Sequence, residues 1–428
     1  MVAACLALSV AALGFVVAER VLERSSTPGV VATGSDVTGS QRTGDGEMSG
    51  SQVTAAGEMS GSPVTDDGEI TRSRVAGEPG LWLSGEELAR APTSGVAWET
   101  VVDAARAFDS SMTDYVWQDS TDGTHALAAA LVFARTGDES FRVEVADAIE
   151  RIVAGGYITD RNPSSLGWAR SITAWVVASD LIDLAEYRPS VDDDWRGFLA
   201  GMPQHPYPGD GGDHLLGLAI GRANNIGSVA RTAVTAIAIY VDDEELLVSM
   251  AELYRDWVEG STVRRFDWAE TRDRSWQCVP DDPATYRGIN SADCLRDGHD
   301  LGGILPEEFR RSGTYDPGDF PGENGTKYAW EALGAAVVQA ELLRRAGFSE
   351  ALEWGDRAPL RALDRLDEFH RVADDDGWTF GREAGGGSDD RWIIPLVNDL
   401  YDTDFPEPER TGHGRPLSWT DWTHVAAS

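Results

Sequence analysis

The sequence predicts an all-α protein in which helices stack as a layered array or close into a toroid. Three observations lead there. Helix caps followed by apolar residues at helical spacing recur from Leu81 onward, strand-like alternation is scarce, and several helices are apolar on most sides, so that each must pack against two neighbours.

Taken in chain order, the first element is "MVAACLALSVAALGFVVAER", about seventeen apolar residues ahead of Glu19 and Arg20. Over 1–18 this reads as an export signal or an N-terminal membrane anchor, since nothing beside it would cover a buried helix; the basic stretch that usually precedes a signal's apolar run is missing. Residues 19–78 form a Gly, Ser, Thr and acid-rich tether, in which "GEMSGSQVTAA" is repeated as "GEMSGSPVTDD" and begun again as "GEITRSR". So few large side chains cannot offset the entropy of ordering the chain. An eleven-residue period also occurs in right-handed coiled coils, but the glycines oppose a helix here.

The folded domain is then 79–428. In "WLSGEELARAP" Ser84 and Glu87 form a capping box, and in "THALAAALVFARTGD" Thr124 takes the cap position of an alanine-rich helix ended by Gly137. Phe141, Val145, Ile149 and Ile152 continue at helical spacing. Further helices are predicted in "LGWARSITAWVVASDLIDLAEY", "NNIGSVARTAVTAIAIYV", "ELLVSMAELYRDWVEG", "KYAWEALGAAVVQAELLRRAG" and "RAPLRALDRLDEFHRV". From Phe266 to Lys327 the chain reads as one long connection, rich in proline and glycine, and a loop of that length is usually functional. Cys278 and Cys294 lie within it, on either side of "VPDDPATYRGINSAD", and in an exported protein they read as a disulfide worth roughly 3 kcal/mol.

Composition narrows the chemistry. The formal net charge is -36, with 72 acidic against 36 basic residues, and Lys327 is the single lysine, a balance that suits a high-salt environment or a high-GC genome. Nucleic acid is excluded as a partner, because no basic stripe exists to track a phosphate backbone. No Gly-rich phosphate loop, HExxH or nucleophile elbow occurs, which disfavours nucleotide, zinc-protease and serine-hydrolase chemistry. Two cysteines make a poor zinc site. No cofactor is expected, apart from a structural calcium that the acidic loops "DPGD" or "VPDDP" have the oxygen ligands to hold. Asn324-Gly325-Thr326 is an N-glycosylation sequon.

The order of "RANNIGSVARTAVTAIAIYVDD", "RSWQC", "YRGIN", "GILPEEFRRSG", "KYAWEALGAAVVQAELLRRAGF", "DDRWIIPLVNDLY" and "WTDWTH" resembles the alginate lyase family of exported, toroidal polysaccharide lyases, over roughly residues 80 to 425. The resemblance implies an (α/α) toroid, an incomplete α/α barrel with long functional loops, whose groove cuts an acidic, uronic-acid polysaccharide by β-elimination without a metal. Removing the C5 proton of a uronate is hard beside a carboxylate already charged, so donors must neutralise that group, a base must take the proton and an acid must protonate O4. By resemblance Asn225, helped by Asn224, binds the carboxylate, Arg311 or Arg310 adds positive charge, and Tyr328 transfers the proton, with Arg222 and Lys327 alongside. Trp276 and Trp392, and likewise Trp419 and Trp422, are either packing residues or platforms for pyranose rings.

Ile226 departs from the pattern, because the family places a histidine directly after the second asparagine. A substitute imidazole is sought in His125, ahead of His214 and His299, because a helix N-terminus keeps a histidine neutral. "SGTYDPGDFPGENGT", between Arg311 and Tyr328, reads as an insertion. Structural readings stand beside these. The asparagines are favoured helix caps, Tyr328 fits a core position, and Glu307, Glu308, Arg310 and Arg311 fit an ion-paired helix face. Two other functions share the scaffold: a glycoside hydrolase using a carboxyl pair drawn from Asp122, Glu307, Glu308 and Glu331, and a tethered, non-catalytic binder of acidic glycans.

Overall fold

The computed structural model describes residues 80–111, 118–155, 164–207, 213–260, 273–320, 327–376, 390–408 and 414–424. The N-terminal apolar segment, the repeat and the Asn324 sequon lie outside the described residues, as does the Lys327 side chain. Among the described residues the protein is helical but for one two-stranded hairpin, and no helix is long and apolar enough to cross a membrane.

The helices are α1 (Gly85–Arg90), α2 (Val96–Ala107), α3 (Asp122–Thr136), α4 (Glu139–Val153), α5 (Ser165–Leu181), α6 (Leu184–Tyr187), α7 (Pro189–Gly201), α8 (Leu215–Gly221), α9 (Asn225–Tyr240), α10 (Glu244–Glu259), α11 (Pro306–Phe309), α12 (Lys327–Arg345), α13 (Trp354–Asp376), α14 (Ile394–Tyr401) and α15 (Thr420–Thr423). Local sequence explains their ends. Ser84 and Glu87 make the expected capping box, with Ser84 N–H donating to Glu87 Oε2 at 2.6 Å and Glu87 N–H to Ser84 Oγ at 3.2 Å. Gly137 ends α3 in the left-handed region at φ 72°, where a side chain would be strained. The start of α3 differs from expectation. It begins at Asp122, whose N–H bonds Ser120 Oγ at 3.1 Å, while the Thr124 hydroxyl turns back to the Thr121 carbonyl at 2.8 Å.

Packing runs in a series in which α2 touches α3, α3 touches α5, α5 touches α9 and α9 touches α12. From α12 the contacts pass to the 3₁₀ turn Asp390–Ile393, then to α15, and from α15 back to α2. The members α5 and α9 are buried on nearly every side, as their all-round apolar sequences require. Outside them lie the amphipathic α4, α7 and α10, with α4 on α3 and α5, and α10 on α9. Three members of the series run the same way. Arg170 near the start of α5, Asn225 at the start of α9 and Glu331 in the first turns of α12 are bonded together, while Asp180, Tyr240 and Arg345 meet at the far ends.

The long connection is ordered where it is described. The hairpin β1 (Leu295–Arg296) with β2 (His299–Asp300) precedes α11, and the Cys278–Cys294 disulfide forms with 5.4 Å between Cα atoms. Asn290, inside the disulfide loop, is buried and donates to the carbonyls of Trp276 at 3.0 Å and Leu301 at 3.2 Å. The segment leading into α11 is thereby tied down.

Candidate functional site

The site begins in the turn from Arg222 to Asn225. Gly227 is required there, because a Cβ at that position would lie 1.7 Å from the Arg222 carbonyl oxygen. The fully buried Arg231, one turn further along α9, donates to that carbonyl at 3.0 Å, and the Trp257 indole N–H donates to the Ala223 carbonyl at 2.9 Å. The Arg231 guanidinium lies 4.9 Å over the Trp257 ring, so the two clamps support each other. The turn is fixed before any functional group is considered.

The two asparagines then part company. Asn224 is the N-cap, its Oδ1 accepting from Gly227 N–H at 3.4 Å. Asn225 is 1 % exposed and fully engaged by protein: its backbone N–H donates to Glu308 Oε1, its Nδ2 to Glu331 Oε2 at 2.6 Å, and its Oδ1 accepts from Arg311 Nη1 at 2.9 Å. Glu331 is also held by the Arg170 fork, at 2.7 Å from Nε to Oε1 and 3.1 Å from Nη2 to Oε2, the bidentate geometry that makes buried ion pairs strong. The Arg311 guanidinium lies 3.7 Å over the centroid of the Tyr328 ring. One amide thus joins α5, α9, α11 and α12. Asn225, expected to bind the substrate carboxylate, is placed as a buried amide bonded at both ends, a hub that orients Arg311 and Glu331.

Glu308 completes the cluster. It is 3 % exposed, and among the described residues its Oε2 has no hydrogen bond although Arg311 Nη1 stands 3.6 Å away. Burial pushes its carboxyl up to about 8 against the pull of Arg311 and the Asn225 N–H, and the charges of Glu331 and Glu307 add to the rise. Arg310 turns away to Glu307 at 2.7 Å, so of the two candidate arginines it is Arg311 that faces Tyr328.

The other expected residues have contacts of their own. His125 is in the first turn of α3, separated from α9 in the packing series by α5. His214 caps α8, its Nδ1 accepting from Gly217 N–H at 3.0 Å, and His299 packs in the loop with Nε2 3.0 Å from the Pro317 carbonyl and its ring 4.7 Å from Phe320. Ile226 is half-buried against the core, and the Arg222 carbonyl is held by Arg231. Of the two readings open for the tryptophans, their burial favours packing. Trp276 is 5 % and Trp392 1 % exposed, the first donating to the Gly313 carbonyl at 2.8 Å and the second lying against Gly334 and Gly414, so neither offers a face to a sugar. Trp419 and Trp422 are equally buried. In the loops considered for calcium, Asp316 Oδ1 accepts from Gly318 N–H at 2.8 Å and Asp282 Oδ1 from Ala284 N–H at 3.1 Å, and among the described residues no group of three or more ligating side chains gathers.

Sequence reasoning missed Arg170 and Arg231. The signal was a lone charge within an otherwise apolar helix, in "GWARSITAW" and in "SVARTAVTAIAIY", because a buried charge must be paired or hydrogen-bonded. Fold and cluster together define a helical protein with a buried amide, carboxyl and guanidinium site at the start of α9. No protein-family model matches the chain, and no curated protein matches it either.

Proposed function

We propose that the protein is an exported polysaccharide lyase that cleaves a uronic-acid polymer, alginate-like in its chemistry, by β-elimination on an (α/α) toroid. The observation that carries this reading is the Arg311 guanidinium, pinned by Asn225 Oδ1 at 2.9 Å and spread over the Tyr328 ring at 3.7 Å. Arg311 keeps 31 % of its side chain exposed, so a uronate carboxylate can meet it from solvent. Tyr328, half-buried beside it, removes the C5 proton; the C5 electron pair forms the C4–C5 double bond as the C4–O4 bond breaks, and the proton passes to O4. With Ile226 in place of a histidine, one phenol serves as both base and acid. The gathered starts of α5, α9 and α12 favour an anionic substrate, since helix N-termini carry partial positive charge.

The toroid is supported by the contact series that leaves α2 and returns to it through α15. Export is supported by the Cys278–Cys294 disulfide, which belongs to an oxidising compartment; 1–18 would be the signal or the membrane anchor. A second reading is favoured by Glu308, because a carboxyl held protonated near neutral pH is what a glycoside hydrolase uses as its acid. The test is to incubate the full chain at high salt with a panel of uronic-acid polysaccharides and track ultraviolet absorbance of the unsaturated uronyl end, beside Tyr328→Phe. An absorbance rise lost in the variant supports elimination through Tyr328. New reducing ends without absorbance hand the case to hydrolysis, and a polymer bound but uncut leaves a binder.

A further inference from the structure

Arg311 Nη1 faces two acceptors. It bonds Asn225 Oδ1 at 2.9 Å and stands 3.6 Å from Glu308 Oε2, which has no hydrogen bond among the described residues. An ionised buried carboxylate beside a guanidinium closes onto it, as Glu331 closes onto Arg170 at 2.7 Å. At Glu308 the contact stays open: Oε1 is held by the Asn225 N–H, and Oε2 stops short of the guanidinium. The charged groups facing Glu308 are Glu307 and Arg311 from its own segment and Glu331 from α12, with Arg310 turned to Glu307, Arg170 of α5 behind Glu331 and the Asn225 N–H of α9 on Oε1.

We infer that Glu308 is the positioning residue for Arg311: as a neutral acid it leaves the guanidinium on Asn225 and over the Tyr328 ring, and once ionised it competes for the same nitrogen and draws the cation off the phenol. This rests on the reading of Arg311 and Tyr328 as the binding and proton-transfer pair. Substrate affinity then falls as pH rises through the ionisation of Glu308, while turnover of bound substrate changes less.

Thermal denaturation of the full chain from about pH 5 to about pH 9, for wild type, Glu308→Gln and Arg311→Gln, tests the coupling without a substrate. Burial raises the Glu308 carboxyl from 4.5 to about 8, so between those values the native state holds the extra proton and stability falls as pH rises. Glu308→Gln removes that decline, and Arg311→Gln extends it to higher pH, because the cation that favoured the carboxylate is gone. Identical curves for wild type and Glu308→Gln overturn the inference. Should Glu308→Gln fail to fold, carboxyl-selective ¹³C NMR of glutamate-labelled wild type replaces it. A resonance titrating above about pH 7 that moves higher in Arg311→Gln is expected, and its absence is fatal. On whichever uronate polymer wild type cleaves, KM rises about tenfold per pH unit beyond the ionisation, with kcat nearly level, and Glu308→Gln flattens the rise. If no polymer is cleaved, the lyase reading fails while the denaturation and NMR curves still decide the role of Glu308.

Discussion

The two ends of α5, α9 and α12 both carry buried charge, and they use it in opposite ways. At the far end Arg345, 4 % exposed at its side chain, closes on Glu87 at 2.6 Å and Glu341 at 2.5 Å, while Arg344 takes Glu341 at 2.7 Å and Arg196 takes Asp192 at 2.8 Å. Although burial opposes it, the Arg345 hydrogen bond and the Ser84 N–H hold the Glu87 carboxyl down to about 2. At the near end Arg170 closes on Glu331, but Arg311 is diverted to an amide and Glu308 is left open, its carboxyl raised to about 8. A buried charge closed on its partner is a staple. A buried carboxyl left open beside a cation is where chemistry or control is to be sought.

The difference can be broken at either end. Arg345→Ala strips the fully buried Glu341 of one of its two cations and should cost about 3 to 5 kcal/mol in thermal or urea denaturation; a loss below about 1 kcal/mol would mean that the far cluster is no staple. Replacing Cys278 and Cys294 by serine frees the segment leading to α11 and should cost roughly 3 kcal/mol, with cleavage falling alongside because that segment carries Glu308 and Arg311 into place. Tyr328→Phe should separate function from stability, lowering the rate a hundredfold or more while shifting stability by less than about 1 kcal/mol; loss of stability with unchanged cleavage would make Tyr328 a core residue. The smallest effect is in acid. The stability that ionised Glu87 contributes is fully present above its unfolded value of 4.5 and lost as pH falls toward about 2, so Glu87→Gln should flatten that limb, opposite in sign to the decline between 4.5 and about 8 assigned to Glu308.

Much of the fold is legible in the chain because it is local. The Ser84 and Glu87 box, the Gly137 stop, the apolar faces of α5 and α9 and the pairing of two cysteines depend on neighbours within a few turns or one loop. Where the boundary of α3 differs from expectation, the competing contacts are close rivals: Ser120 and Thr121 lie just ahead of Thr124, so the helix start moves by a few residues. The tryptophans are ambiguous for another reason. An indole reads the same in a core and in a sugar groove until its burial is known.

By itself the sequence determined the helical class, the Ser84 and Glu87 capping box, the Gly137 stop, the disulfide and an acidic composition with no basic stripe, all set by local spacing and composition. Only the tertiary structure decided that Asn224 caps while Asn225 links, that Arg311 rather than Arg310 meets Tyr328, and that Glu308 is buried beside a cation it does not close on. The reason is distance along the chain. Glu308 meets Asn225 across 83 residues and Arg170 meets Glu331 across 161, and burial and charge at such sites exist only once those segments have been brought together.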